Sequence, residues 1–381
     1  MAIKEEGNRG VGKSIFRSCL LFVGVLVGGF ILFGVGRYWL GPLLTARTTC
    51  IIVDNCLYSV SVGDSSVRRV RFSPNGSTLA VIGNNRYLID AADGSRISAF
   101  GTGSNSVADF IFSQDSQYLA YKNKDNLTIH TIDGEEFSEF LFEGSCNVFG
   151  SDCIAFVPYA NGIAMSGKED GFDLFFLNGD PITHFPTADK INGIAVSPDS
   201  QTIALAEDGG RIYLHQISDL ANEVLIGGHD GNVGHMIFSG NSQRLITVGK
   251  DDDQTRVWDV ASGELLHVLP AVGNPTDMSV DETGQFVVIS EDSGLITMWD
   301  LATAAIVKEW IFDRSVRTVS LSPDAQLLAL GLSREVTMVD ERIYTQRRPG
   351  EPFRRSGSSF SVRGESVSAG SALVLETGLE N

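Results

Sequence analysis

Short apolar runs separated by polar turns set the pattern of this chain from residue 57 to about residue 342. Between Gly228 and Asp259 the runs are Met236-Ile237-Phe238 and Arg244-Leu245-Ile246-Thr247-Val248, with Ser239-Gly240-Asn241-Ser242-Gln243 between them. Each run is too short for a helix and is bounded by Gly, Asn, Asp or Ser, which predicts strand, turn, strand, turn, strand. The unit recurs. Phe72-Ser73-Pro74-Asn75-Gly76, Phe112-Ser113-Gln114-Asp115-Ser116, Val196-Ser197-Pro198-Asp199-Ser200 and Leu321-Ser322-Pro323-Asp324-Ala325 repeat its first turn; Phe156-Val157-Pro158 and Val280-Asp281-Glu282 are weaker copies. The turn positions 73, 113, 157, 197, 239, 281 and 322 are spaced by 40 to 44 residues. That period with short strands predicts blades of about four strands each. One small sheet cannot bury both its faces, so seven must stack around an axis.

Third strands are expected at Tyr87–Asp90, Leu127–His130, Asp173–Phe176, Ile212–His215, Ile296–Trp299 and Val336–Val339. Outer strands are expected at Glu223–Ile226 and Glu264–Val268. The seventh unit lacks an outer strand of its own. The early run Leu57–Val62 reads as the strand that completes it and removes an open edge.

The unit begins Gly228-His229 and ends Trp258-Asp259, and Trp299-Asp300 repeats the second dipeptide. In these residues and in its period the chain resembles the WD40-repeat family, over roughly residues 57–342. The resemblance implies an all-β fold, a seven-bladed β-propeller of WD40-like repeats. It also implies a buried hydrogen-bonded set of His229, Thr247, Asp252 and Trp258, with Asp251 or Asp253 as alternatives for the turn carboxylate. The role implied for His229 is structural.

Charge narrows the class of partner. The net charge is −18; the segments before residue 47 and after residue 342 carry +4, leaving −22 on the body. Such a body repels phosphate backbones, so nucleic acid is a poor partner. Residues 1–17 read as a cytoplasmic tip. Gly7–Ser14 (GNRGVGKS) fits the phosphate-loop pattern letter for letter, but only six residues precede it and an apolar segment follows, so it reads as a chance match.

Ser18–Gly36 holds no charge over 19 residues and predicts one N-terminal transmembrane helix, an uncleaved signal anchor over residues 18–40. A cleaved signal peptide is the alternative. Four Lys and Arg before it, against Arg37 and Arg47 after it, predict a cytoplasmic N-terminus and an exported propeller. Gly24 and Gly28 offer a face for helix-mediated pairing into a homodimer, or are glycines of the kind common in such helices.

The cysteines outside that segment form near pairs, Cys50 with Cys56 and Cys146 with Cys153, which suit disulfides in an oxidising compartment. Zinc and unpaired thiols are the competing readings; the spacing is not that of a zinc site, and no metal or other cofactor is expected. Residues 343–381 are rich in Ser, Gly and Arg and read as a disordered tail outside a propeller of residues 47–342.

No catalytic set stands out among the six His or the carboxylates. Asp251-Asp252-Asp253 lacks the spacing of a calcium loop. The leading expectation is a membrane-tethered, non-catalytic scaffold whose propeller loops bind a protein or peptide. The alternative is an envelope enzyme or small-ligand receptor that uses the central channel.

Overall fold

Seven antiparallel sheets form the described part of the chain in this computed structural model. The structure describes residues 56–379 except 62–66, 84, 101–108, 124–125, 143–152, 158–160, 168–169, 271–272, 333–337 and 344–370. The expected transmembrane helix lies outside the described residues. Among the described residues no helix is long and apolar enough to cross a membrane.

The inner strands of blades 1 to 7 are Arg69–Phe72, Asp109–Phe112, Ile154–Val157, Ile191–Val196, Val233–Phe238, Pro275–Val280 and Thr318–Leu321. Each is followed by two or three strands in meander order. Successive residues of a strand point to opposite sheet faces. Each blade therefore packs against two neighbours, and the core is seven apolar clusters, one between each pair of successive blades.

The repeated turn has one chemical device. The turn serine accepts the N–H five residues on: Thr78 to Ser73 at 3.0 Å, Tyr118 to Ser113 at 2.9 Å, Thr202 to Ser197 at 2.9 Å, Arg244 to Ser239 at 3.0 Å and Leu327 to Ser322 at 2.8 Å. Its own hydroxyl donates to the Asn or Asp two residues on, at 2.6 to 2.7 Å. Blade 6 replaces the serine by Asp281, which accepts from Phe286 N at 2.7 Å. The residue after the Asn or Asp has positive φ in these turns: Gly76 at 71°, Ser116 at 59°, Ser200 at 57°, Ser242 at 61° and Ala325 at 59°. The pattern explains why polar, small residues recur there rather than merely hydrophilic ones.

Blade 7 differs from expectation. Its third strand is Ser371–Glu376, paired with Leu327–Gly331 on one side and Cys56–Ser61 on the other. Strand Met338–Ile343 instead runs antiparallel along the edge of Ala305–Phe312, making a fifth strand of blade 6. Two expectations are corrected. Val336–Val339 is not the third strand, and the tail is not wholly outside the ring, which runs to Glu376. The physical reason is burial. Leu373 and Leu375 fill the cluster against blade 6, while Ala372 and Val374 fill the one against blade 1. The early strand is the outer one of blade 7, and its Tyr58 hydroxyl donates to Ala91 O in blade 1 at 2.8 Å. Beyond the closing strand, Thr377 O accepts from the buried Lys308 ammonium of blade 6 at 2.6 Å.

Short polar side chains stitch inner strands together where the ring closes. Asp277 Oδ2 accepts from Val319 N at 3.1 Å, Thr318 Oγ1 from Val70 N at 3.2 Å, and Ser320 Oγ from Phe72 N at 2.9 Å. These give partners to backbone donors that no strand ladder reaches.

Candidate functional site

His229 sits before the inner strand of blade 5, Thr247 on its second strand, Asp252 in the following turn and Trp258 on its third strand. Trp258 Nε1 donates to Thr247 Oγ1 at 2.9 Å, and Thr247 Oγ1 lies 2.8 Å from His229 Nε2. The ionised Asp252 carboxylate can only accept, so the imidazole proton lies on Nδ1 and the bare Nε2 accepts from the Thr247 hydroxyl. His229 is then the Nδ1–H tautomer, donating to the Asp252 carboxylate 3.0 Å away. Asp252 also accepts from Gln254 N at 3.2 Å and Arg256 Nη2 at 3.0 Å. Asp251 serves elsewhere, accepting from Asn232 N at 3.0 Å.

Sequence reasoning missed two members of this site. Arg256 faces the carboxylate from the third strand. Gly249 leaves the space, since a Cβ there would collide with the Asp252 carboxylate and His229 Nδ1. Blade 6 keeps Trp299 without the rest. Ile289 stands where blade 5 has Thr247, and the indole donates instead to Thr297 on its own strand at 2.9 Å.

Burial holds the His229 imidazole below the usual histidine range, outweighing the Asp252 carboxylate beside it. Burial pushes Asp252 up, but hydrogen bonds from Gln254 N and His229 offset this and leave the carboxyl below its usual range. A neutral histidine in the folded state means that the unfolded chain binds the extra proton first. The contribution of His229 to stability is therefore complete above the unfolded value of about 6.5 and is lost as pH falls through that value toward the lowered folded one. Unfolding midpoints in urea should fall between pH 7 and pH 5. Nitrogen-edited NMR should show a neutral Nδ1–H imidazole at pH 6.5. A charged ring at that pH would overturn the assignment.

The set braces blade 5: every polar side-chain atom of His229, Thr247, Asp252 and Trp258 has a partner. Two of the carboxylates lining the central channel, Asp109 and Asp281, are similarly committed. Asp109 accepts from Phe110 N at 2.8 Å and Cys153 N at 3.1 Å, and Asp281 from Phe286 N at 2.7 Å and Thr283 N at 3.2 Å.

The large exposed apolar side chains of the described residues lie on strands rather than in loops: Leu57 in blade 7, Ile97 in blade 1, Phe137 and Leu141 in blade 2, Phe176 in blade 3, Val224 and Leu225 in blade 4, and Leu265, Leu266 and Val268 in blade 5. Cys56 opens the outer strand of blade 7 and Cys153 precedes blade 3; Cys50 and Cys146 lie outside the described residues.

Residues 222–259 match the WD40 family profile, described as WD domain, G-beta repeat. The matched segment holds His229, Thr247, Asp252 and Trp258. The chain is 29% identical over 118 residues to telomerase Cajal body protein 1 of Mus musculus, covering 30% of this chain and 22% of the relative. It is 25% identical over 244 residues to echinoderm microtubule-associated protein-like 2 of Mus musculus, covering 54% of this chain and 37% of the relative. It is 31% identical over 117 residues to Topless-related protein 4 of Arabidopsis thaliana, covering 29% and 10%. These matches span well under half the length of each relative. With the profile match, the hydrogen-bonded set and the seven stacked sheets, the described residues form a seven-bladed β-propeller whose segment 222–259 matches the WD domain, G-beta repeat.

Proposed function

We propose that this chain is a membrane-tethered, non-catalytic scaffold that holds a protein partner on the exported side of the membrane. The observation that carries the binding role is the exposed apolar rim of blades 4 and 5, where Val224, Leu225, Leu265, Leu266 and Val268 are 39 to 54% exposed. Among the described residues no other pair of neighbouring blades exposes as many large apolar side chains, and exposed apolar surface marks interaction sites. The sequence-based expectation was the propeller loops; in this reading the contact lies on the outer strands. The partner is an extended segment of another protein. Blade 6 supplies the precedent, because its outer strand already takes Met338–Ile343 as an added strand. The tether rests on the uncharged Ser18–Gly36 stretch and its flanking Lys and Arg, and the disulfides Cys50–Cys56 and Cys146–Cys153 belong to the same exported reading.

Crosslinking in cells, followed by mass spectrometry, tests the scaffold. A stoichiometric protein should be captured by the native chain and lost with Leu225→Asp plus Leu266→Asp, while loop substitutions leave it. Loss through loop substitutions alone would return the contact to the loops. Capture of no protein by any variant would sink the scaffold reading. The tether has its own readout: alkaline carbonate should leave the full chain in membranes and release a chain starting at Arg47.

A further inference from the structure

A cavity of about 210 Å³ lies among the inner strands of the blades and is lined in part by the serine turns. Its wall at the level two residues before each turn position is divided into two arcs. Blades 2 to 5 contribute Ile111, Ala155, Ala195 and Ile237; blades 6, 7 and 1 contribute Ser279, Ser320 and Arg71. The serines are fixed, because Ser279 Oγ accepts from Leu321 N and Ser320 Oγ from Phe72 N, both at 2.9 Å. Each hydroxyl keeps its own proton to donate.

Arg71 is the cation of this wall. Its guanidinium lies 5.8 Å from the Phe110 ring centroid, against the next blade. It makes no ion pair among the described residues. The Asp109 and Asp281 carboxylates of the same lining are committed to backbone N–H groups. Glu282 also lines the cavity and forms no ion pair with Arg71 among the described residues.

The geometry points to a binding site for a ligand with one carboxylate and a short apolar body: a free aliphatic acid or the C-terminal residue of a peptide. The guanidinium presents a planar fork of donors that matches a carboxylate in two parallel hydrogen bonds. The two serine hydroxyls extend the polar arc on the blade 7 side of that position. The apolar arc opposite takes the hydrocarbon part. The cavity is smaller than the roughly 300–1,000 Å³ of pockets for drug-sized molecules, which limits the ligand to one residue or a short chain. The acidic body, −22 over residues 47–342, repels polyanions and so favours a single negative charge. This site is separate from the outer-strand rim, and either can fail without the other.

Calorimetry on the full-length chain in detergent tests it, with hexanoate against hexanamide and an acetylated tetrapeptide ending in leucine against its C-terminal amide. The acid forms should bind at least about tenfold more tightly than the amides, the worth of one charge-assisted hydrogen bond. Arg71→Met keeps the stem against Phe110 and should erase that preference with an unchanged melting temperature. Arg71→Lys should retain part of it. Ala195→Leu, which fills the apolar arc, should weaken both acids. Comparable binding of hexanoate and peptide assigns a free acid as the ligand; a peptide preference of tenfold or more assigns a chain terminus. Equal binding of acid and amide, undiminished acid binding by Arg71→Met, or no binding by any of the four probes would overturn the site.

Discussion

Ending the chain at Gly370 should abolish the folded propeller. The lost strand, Ser371–Glu376, stands in the middle of blade 7 with a hydrogen-bonded neighbour on each side. Its residues Ala372 to Leu375 are at most 1% exposed, and they fill two clusters on opposite faces. Removing it strands Cys56–Ser61 without a ladder and uncovers blade 6 and blade 1 together. The milder variant Leu373→Ala should fold and lose about 2–5 kcal/mol, the usual range for a buried leucine truncated in a packed core. Chemical denaturation of the full chain and this variant gives the number; circular dichroism and gel filtration read the truncation. A truncated chain that stays monomeric with native strand content would show that the closing strand is dispensable.

Thr247→Val should rank next. The two side chains are close in size, so little packing changes, but one hydroxyl leaves two buried partners behind. The Trp258 indole N–H and His229 Nε2 both depend on it. An unpaired buried polar group costs about 1–3 kcal/mol, so two should cost about 2–6 kcal/mol in all. Thr297→Val in blade 6 is the internal control. That hydroxyl receives the Trp299 indole proton and has no histidine behind it, so the loss should be about half as large. A cycle pairing Thr247→Val with Trp258→Phe should show coupling of about 0.5–3 kcal/mol, as expected of residues in one network. Equal losses at Thr247 and Thr297 would mean that the histidine arm contributes nothing.

Much of this architecture was readable because the informative residues are local. A serine, an Asn or Asp two residues on and a small residue after it form a complete turn within six positions, and the period of that turn counts the blades. The set around His229 was also within reach through resemblance, since its four members lie inside one repeat. Gly249 and Arg256 were not. The need for a missing Cβ, or for a cation beside Asp252, arises only when two loops and a strand meet in space.

The closing blade was misread for a related reason. Val336–Val339 and Ser371–Glu376 are both short and apolar. Sequential strands usually pair, so the nearer run was favoured. What decides between them is the fit of alternate side chains to blade 6 and blade 1, which no local window contains. Likewise, the apolar rim of Val224, Leu225, Leu265 and Leu266 looked like ordinary outer strands, because exposure depends on what the chain lays over each edge.

The seam between Cys56–Ser61 and Ser371–Glu376 carries a consequence for how the molecule is made. Its first described strand leaves the ribosome long before its partner exists: Cys56 pairs with Leu375. At synthesis rates of about 5–20 residues per second, the wait is on the order of 15 to 60 s. Through that interval the nascent polypeptide is an open crescent. It shows the apolar flank of blade 1 at one end and, once made, that of blade 6 at the other. Until then Cys56–Ser61 and Leu327–Gly331 also lack the strand between them, and such open edges are ready templates for intermolecular pairing. Biogenesis, more than equilibrium stability, is therefore where this fold is most exposed to aggregation, and a holdase that shields strand edges until residue 376 emerges would raise its yield.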